Sequence, residues 1–78
     1  MQRSAKSRRK DPWLKTVGEN LRRERKAAGM TQERLAELAE LAPRVIQKIE
    51  AGQITILIST LRRLRKVIGC RYEVLLAE

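Results

Sequence analysis

The chain has 78 residues, 42% of them hydrophobic, which is enough for one small domain with a core of Leu, Ile, Val and Ala. Its 18 Lys and Arg against nine Asp and Glu give a net charge of +9. That charge favours nucleic acid as a partner over an anionic membrane, because the basic residues do not line one face of a long amphipathic helix.

Histidine is missing from the sequence, and Cys70 is the only cysteine. An intramolecular disulfide is therefore excluded, and the usual ligands of a zinc site and the usual acid–base groups are lacking. No nucleophile–base set or Gly-rich phosphate loop is present either. We therefore predict no enzymatic activity, no metal and no cofactor, and we interpret Cys70 as a small buried or half-buried side chain.

The first 11 residues, MQRSAKSRRKD, are predicted to form a disordered basic arm ahead of a domain at residues 12–78. Their few apolar side chains cannot offset the entropy lost on ordering. Such an arm can fold into a minor groove or along a nucleic-acid backbone, and the alternative is a solubilising tail that only releases counterions. The candidate contacts are Arg3, Lys6, Arg8, Arg9 and Lys10.

Two amphipathic helices are predicted next. Asp11 and Pro12 supply the cap and first turn of helix one, which ends at Gly29. Thr31 is predicted to cap helix two. The expected inward side chains are Leu14, Val17, Leu21 and Ala28 in helix one, and Leu35, Ala36, Leu38 and Ala39 in helix two.

Three more helices complete a predicted all-α fold. Helix three starts at Pro43 and ends at Gly52, helix four starts at a Thr55 cap and ends at Gly69, and helix five spans Arg71–Ala77. The expected inward side chains are Val45, Ile46 and Ile49 in helix three, Ile58, Leu61, Leu64 and Ile68 in helix four, and Tyr72, Leu75 and Leu76 in helix five.

The motifs along these helices resemble the Cro/phage-repressor type of helix-turn-helix domain, the xenobiotic response element family. The resemblance covers about Val17 to Leu76 and implies a compact five-helix domain whose helices two and three form the helix-turn-helix. The motifs are Val17-Gly18-Glu19 with Leu21 and Arg25, Gly29-Met30-Thr31-Gln32 with Leu35-Ala36, Pro43 through Gly52, Thr60-Leu61, and Ile68-Gly69.

The resemblance implies that helix three lies in the major groove of DNA. The residues that would face base edges are Pro43, Arg44, Gln47 and Lys48. Arg44 and Lys48 suit the acceptors of guanine, and Gln47 suits adenine. Pro43 offers only apolar contact, for example to a thymine methyl group. The alternative is that these residues form the solvated face of an amphipathic helix.

Two further sets of residues are implied by the resemblance. Thr31 and Gln32 correspond to the start of helix two, where a helix N-terminus favours a DNA phosphate; the alternative is a simple cap followed by an exposed residue. Arg25 and Glu50 resemble a pair that bridges helix one to the end of helix three and orients it. Two independent surface charges are the alternative there.

The chain departs from the family pattern at three places. Glu40 occupies a turn position that is commonly Gly, so we expect strain or a slightly altered turn there. Ala42 leaves helix three without a side-chain cap. The loop after Gly52, QITILI, is apolar where phosphate-binding side chains are common. This excess of apolar residues predicts a homodimer interface, with extra core packing as the alternative. The candidate interface residues are Ile54, Ile56, Leu57, Val67 and Val74.

Together these features predict a sequence-specific, double-stranded DNA-binding transcriptional regulator that acts as a dimeric repressor or autoregulator. The alternatives are an antitoxin with the same domain, whose partner is a toxin or another regulatory protein, and a protein-interaction module that keeps the fold without binding DNA. No apolar run is long enough for a membrane span, and no secretory leader is evident. The expected location is the cytoplasm, in association with the nucleoid.

Overall fold

The computed structural model describes residues 11–78, so the predicted arm lies outside the described residues except for Asp11. Within residues 11–78 the regular secondary structure is entirely helical, which confirms the predicted all-α fold of five helices. The helices are α1 (Pro12–Ala27), α2 (Gln32–Ala39), α3 (Pro43–Glu50), α4 (Ile58–Ile68) and α5 (Tyr72–Leu76).

The starts of α1 and α2 follow local sequence signals. Asp11 Oδ1 accepts a hydrogen bond from the Trp13 backbone N–H at 2.9 Å. Thr31 Oγ1 accepts one from the Arg34 backbone N–H at 3.0 Å. Both predicted caps are therefore confirmed, and each satisfies a backbone donor that has no partner inside its helix.

The predicted start of α4 at a Thr55 cap is wrong. The helix begins at Ile58, and its N-cap is Leu57, which provides no side-chain hydrogen bond. Ile54 and Ile56, two residues apart, are both half-buried against the core. The chain therefore stays extended through Leu57, whose ψ is 144°, before it turns into the helix.

The core lies where α1, α2, α3, α4 and α5 meet, and aliphatic side chains fill it. Its largest fully buried side chains are Leu21, Leu35, Ile46, Ile49, Leu64 and Leu75. Every one of these was expected to face inward, because each lies on the apolar side of its helix at the 3.6-residue period.

Four residues that were expected to face inward are exposed. Leu38 is 43% exposed because α2, with only eight residues, buries the face of Leu35, Ala36 and Ala39 instead. Ile58 is 83% exposed because it is the first residue of α4 and the loop before it already supplies the core contacts. Ala28 is the exposed C-cap of α1. Tyr72 lies at the surface with the Arg65 guanidinium carbon 4.7 Å from its ring centre.

α1 and α3 pack at very short range because of two glycines. A Cβ at Gly18 would overlap the carbonyl oxygens of Ile49 and Glu50 at the end of α3. A Cβ at Gly52, whose φ is 71°, would come within 2.7 Å of the Lys15 Cα. The end of α3 is thus pressed directly against the backbone of α1.

α5 is held to α1 by side chains that sequence analysis did not single out. The buried Asn20 donates through Nδ2 to the carbonyl oxygens of Leu75 and Ala77, each at 2.9 Å. Trp13 Nε1 donates to the Leu76 carbonyl oxygen at 3.2 Å. These bonds satisfy carbonyl groups at the C-terminal end of a five-residue helix, which is too short to persist alone.

Candidate nucleic-acid interface

α3 presents a row of exposed side chains on the side opposite its core contacts. Ile46 and Ile49 are buried, and all four residues predicted to face bases are exposed. We call these four, after that prediction, the base-contacting row: Pro43, Arg44, Gln47 and Lys48. Within residues 11–78 neither Arg44 nor Lys48 forms an ion pair, so both cationic groups are available to an external acceptor.

A buried ion pair ties the end of α3 to α1. Arg25 Nε lies 2.7 Å from Glu50 Oε2, and Arg25 Nη2 lies 3.1 Å from Glu50 Oε1. The two side chains are only 7% and 5% exposed, so they are not independent surface charges. The two parallel hydrogen bonds give the pair a fixed orientation, which a single contact would not do.

Two further hydrogen bonds extend this pair to the start of α2. Arg25 Nη1 donates to the Met30 carbonyl oxygen at 2.8 Å. Gln32 Nε2 donates to Glu50 Oε1 at 2.9 Å. We call Arg25, Met30, Gln32 and Glu50 the Arg25–Glu50 network. It joins α1, the loop before α2, the first residue of α2 and the last residue of α3.

A cleft opens beside this network at the N-terminus of α2. Its lining residues come from three helices and the α1–α2 loop: Arg22, Arg25, Thr31, Gln32, Gln47, Glu50 and Ala51. Thr31 is exposed and Gln32 is half-buried, with one of its two amide hydrogens used by Glu50. The other hydrogen and the first backbone N–H groups of α2 remain suited to an anion.

Arg22 in this cleft was missed by sequence analysis. It is exposed and lies three residues before Arg25, which places the two arginines on the same side of α1. That spacing was visible in the sequence, but it acquires meaning only once Arg25 is known to face the start of α2.

The turn between α2 and α3 carries the expected departures. Glu40 has φ 60° and ψ 46°, the left-handed conformation that favours glycine. The turn is closed by a hydrogen bond of 2.8 Å from the Leu41 N–H to the Ala36 carbonyl oxygen, five residues earlier in the chain. This is the wider-spaced of the two hydrogen bonds that define a Schellman motif. Ala42 precedes α3 without a side-chain cap, and Pro43 occupies the first position, where no amide donor is needed.

The candidate dimer residues differ in exposure: four are half-buried and one, Leu57, is exposed. Ile54, Ile56 and Val67 are half-buried and pack against the core, so extra core packing accounts for much of their apolar character. Val74 is also half-buried. Leu57 is 70% exposed, and the next residue, Ile58, is 83% exposed.

Cys70 is half-buried and packs against the core. Burial raises the pKa of the half-buried Cys70 thiol above its usual value, and the nearby charge of Glu24 raises it further. Cys70 is thus less readily ionised than an exposed cysteine, consistent with a packing role.

Residues 11–78 contain no cluster of acidic, Cys or His side chains suited to a metal ion. None of the described helices is long and apolar enough to span a membrane.

Comparison with known proteins gives one match. A family model described as helix-turn-helix matches residues 21–75, which include α2, α3 and α4 in full. No curated protein and no solved structure matches the chain.

Proposed function

Because the chain belongs to the Cro/C1-type helix-turn-helix family, the xenobiotic response element family of DNA-binding domains, we propose that it is a sequence-specific transcriptional regulator. It binds double-stranded DNA as a homodimer and acts as a repressor or autoregulator in the cytoplasm, at the nucleoid. The observation that carries the proposal is the exposure of the base-contacting row, whose Arg44 and Lys48 form no ion pair within residues 11–78. The row lies on a helix whose end is tied to α1 and α2 by hydrogen bonds of the Arg25–Glu50 network.

The base-contacting row supplies sequence preference. Arg44 donates two parallel hydrogen bonds to O6 and N7 of guanine, and Lys48 reaches the same atoms as a point charge. Gln47 pairs with N6 and N7 of adenine, and Pro43 contacts a thymine methyl group. Arg44 and Lys48 lie four residues apart on one face of α3, so they contact neighbouring base pairs.

The cleft at the start of α2 supplies affinity and register. Thr31 and Gln32 hold a phosphate at the helix N-terminus, and Arg22 contributes a charge from α1. The Arg25–Glu50 network fixes the distance between this phosphate and the bases that α3 contacts. The basic arm, with Arg3, Lys6, Arg8, Arg9 and Lys10, adds contacts to a minor groove or to the backbone.

A second candidate function is favoured by the exposed Leu57 and Ile58, because apolar side chains at a surface suit a protein partner. In this alternative the domain is the antitoxin of a toxin–antitoxin pair, or an interaction module that does not bind DNA. An antitoxin would still bind DNA through the base-contacting row. An interaction module would not, so selection of bound DNA separates these possibilities.

The test is selection of bound duplexes from a random pool, followed by sequencing. We expect an enriched palindromic motif. Arg44→Ala should weaken binding to that motif by about 1–3 kcal/mol and should relax the preference at one position of each half-site. An unenriched pool, together with no effect of Arg44→Ala, would favour the interaction module.

A charge-matched control is Arg62→Ala, which removes an exposed arginine from α4 instead of α3. We expect it to leave the selected motif unchanged and at most to weaken binding to all duplexes equally, because a loss of charge alone carries no base preference. Equal relaxation of the motif by both variants would contradict the assignment of Arg44.

A further inference from the structure

A groove between α2 and α4 lies apart from the surface that we propose for DNA. Its six lining residues come from the end of α2 and from α4: Leu38, Ala39, Glu40, Arg63, Lys66 and Val67. None of the six belongs to the base-contacting row or lines the cleft at the start of α2. We call this surface the α2–α4 groove. It therefore stays open when α3 and the start of α2 are engaged.

The floor of the α2–α4 groove is aliphatic. Leu38 is 43% exposed, although sequence analysis placed it in the core. Val67 is half-buried and packs against the core on one side. An exposed aliphatic side chain beside a half-buried one gives a partner an apolar surface from which to displace water.

The α4 side of the groove is cationic. Arg63 and Lys66 are both exposed, and neither forms an ion pair within residues 11–78. The sequence from residue 53 to residue 72 contains no Asp or Glu that could neutralise them. Arg63 Nη1 donates to the Ala39 carbonyl oxygen at 3.4 Å, which holds the guanidinium beside the end of α2. Its other N–H groups are left for an external acceptor.

This combination favours an acidic polypeptide over nucleic acid. A phosphate backbone offers negative charge but little that would cover Leu38 and Val67. Glu40 is exposed at the α2 end of the groove and would repel a continuous row of phosphates. A polypeptide can instead place an aliphatic side chain on the floor and carboxylates only along the α4 side.

We infer that the α2–α4 groove binds an amphipathic segment of another protein, in which aliphatic side chains are flanked on one side by Asp or Glu. The aliphatic side chains cover Leu38 and Val67, and the carboxylates pair with Arg63 and Lys66. Because the groove shares no residue with the DNA surface, the partner binds whether or not DNA is bound. The inference thus goes beyond the proposed function and does not depend on it.

The interaction is of the weak, reversible class. A standard interface buries about 800 Å² on each partner, more than a groove lined by six residues offers. A multivalent display format compensates for weak affinity, since several copies of one peptide bind together. Selection of displayed peptides is therefore the suitable first experiment.

The probe is a library of random displayed peptides of about 16 residues, which span roughly 24 Å as a helix. The library is first depleted on the double variant Leu38→Gln/Lys66→Glu and then selected on the full wild-type chain. We expect enriched peptides in which Leu, Ile or Val recur three or four residues apart, with Asp or Glu on one side of that stripe.

One enriched peptide is then labelled, and its binding is measured by fluorescence anisotropy. Leu38→Gln should weaken binding on the order of tenfold, because the apolar contact is lost. Lys66→Glu should weaken it on the order of tenfold at low salt, and this loss should shrink at about 1 M salt, where charges are screened. Lys26→Glu is the matched control, since it reverses an exposed charge on α1, and it should change binding by about twofold at most.

The substitutions are chosen to preserve the fold. Both groove positions are exposed, and Gln and Glu are good helix formers. A urea titration should give each variant the wild-type free energy of unfolding to within about 0.5 kcal/mol. The affinity of Lys66→Glu for the selected duplex should fall no more than that of Lys26→Glu. The peptide should bind the complex of protein and duplex as tightly as it binds the free protein.

Several results would overturn the inference: no enrichment, enriched peptides without the acidic and aliphatic pattern, equal losses of peptide binding in Lys66→Glu and Lys26→Glu, or release of the peptide by the duplex. A larger loss of duplex affinity in Lys66→Glu than in Lys26→Glu would assign the groove to DNA phosphates instead. Failure of the proposed function would appear separately, as peptide binding by a chain that selects no duplex.

Discussion

Glu40 is the residue at which the backbone departs most from ordinary geometry. It has φ 60° and is the one non-glycine residue with positive φ within residues 11–78. A side chain with a Cβ in this conformation costs about 1–2 kcal/mol. The turn nevertheless closes, because the core contacts of Ala39 on one side and Ile46 on the other hold α2 and α3 in place.

Replacing Glu40 by Gly should therefore stabilise the protein. We expect the free energy of unfolding in a urea titration to rise by about 1 kcal/mol or less, since the relief of strain is partly offset by the larger unfolded-state entropy of Gly. Glu37→Gly, at a position inside α2 with ordinary helical geometry, should lower the free energy of unfolding by about 1 kcal/mol. Equal losses in both variants would show that the turn is not strained.

At the scale of elements, the contact between α1 and α3 depends on Gly18. Helix propensity alone favours Ala over Gly in a helix interior by about 1 kcal/mol. The structure predicts the opposite sign here, because a Cβ at position 18 would overlap backbone oxygens at the end of α3 that have no freedom to move away.

Gly18→Ala should lower the free energy of unfolding by about 1–3 kcal/mol, the usual cost of overpacking. It should also weaken binding to the selected duplex, because α3 is displaced from α1. Lys26→Ala, at an exposed position of the same helix, is the control and should change stability by no more than about 0.5 kcal/mol. A stabilised Gly18→Ala variant would contradict the close packing of α1 and α3.

At the scale of the whole molecule, the Arg25–Glu50 network allows stability and DNA binding to be tested separately. A buried ion pair is weak evidence for stability, because desolvation of the two charges offsets much of their attraction. Its bidentate geometry is instead suited to fixing the direction of α3 relative to α1 and α2. Stability and DNA binding should therefore respond differently when the pair is replaced by apolar side chains.

The double variant Arg25→Met/Glu50→Leu should keep a free energy of unfolding equal to the wild type or up to about 4 kcal/mol higher. Its affinity for the selected duplex should fall by about 1–3 kcal/mol, the value of one well-placed bidentate base contact. Arg34→Ala/Glu37→Ala removes an exposed ion pair and should change stability by about 1 kcal/mol at most. Wild-type affinity in the apolar variant would contradict an orienting role.

The features that were predictable from sequence are those that depend on residues close together in the chain. The caps of Asp11 and Thr31, the proline at the start of α3 and the glycine at the end of α4 each act within one turn. The exposed face of α3 follows from its 3.6-residue period in the same way. Resemblance to the family then predicted that Arg25 and Glu50 would meet across 25 residues.

The tertiary structure alone decided which apolar side chains are buried in the core and how closely the helices pack. Ile58 and Leu38 match the apolar period but are exposed, because burial depends on whether a neighbouring element covers them and not on local pattern. For the same reason the N-cap of α4 is Leu57 and not the predicted Thr55, since Ile54 and Ile56 pack against the core from an extended loop. Three residues of α1 have roles that depend on partners at least 10 positions away in the chain. Gly18 allows close approach to Ile49, Asn20 donates to the Leu75 carbonyl oxygen, and Arg22 lines a cleft with Gln32.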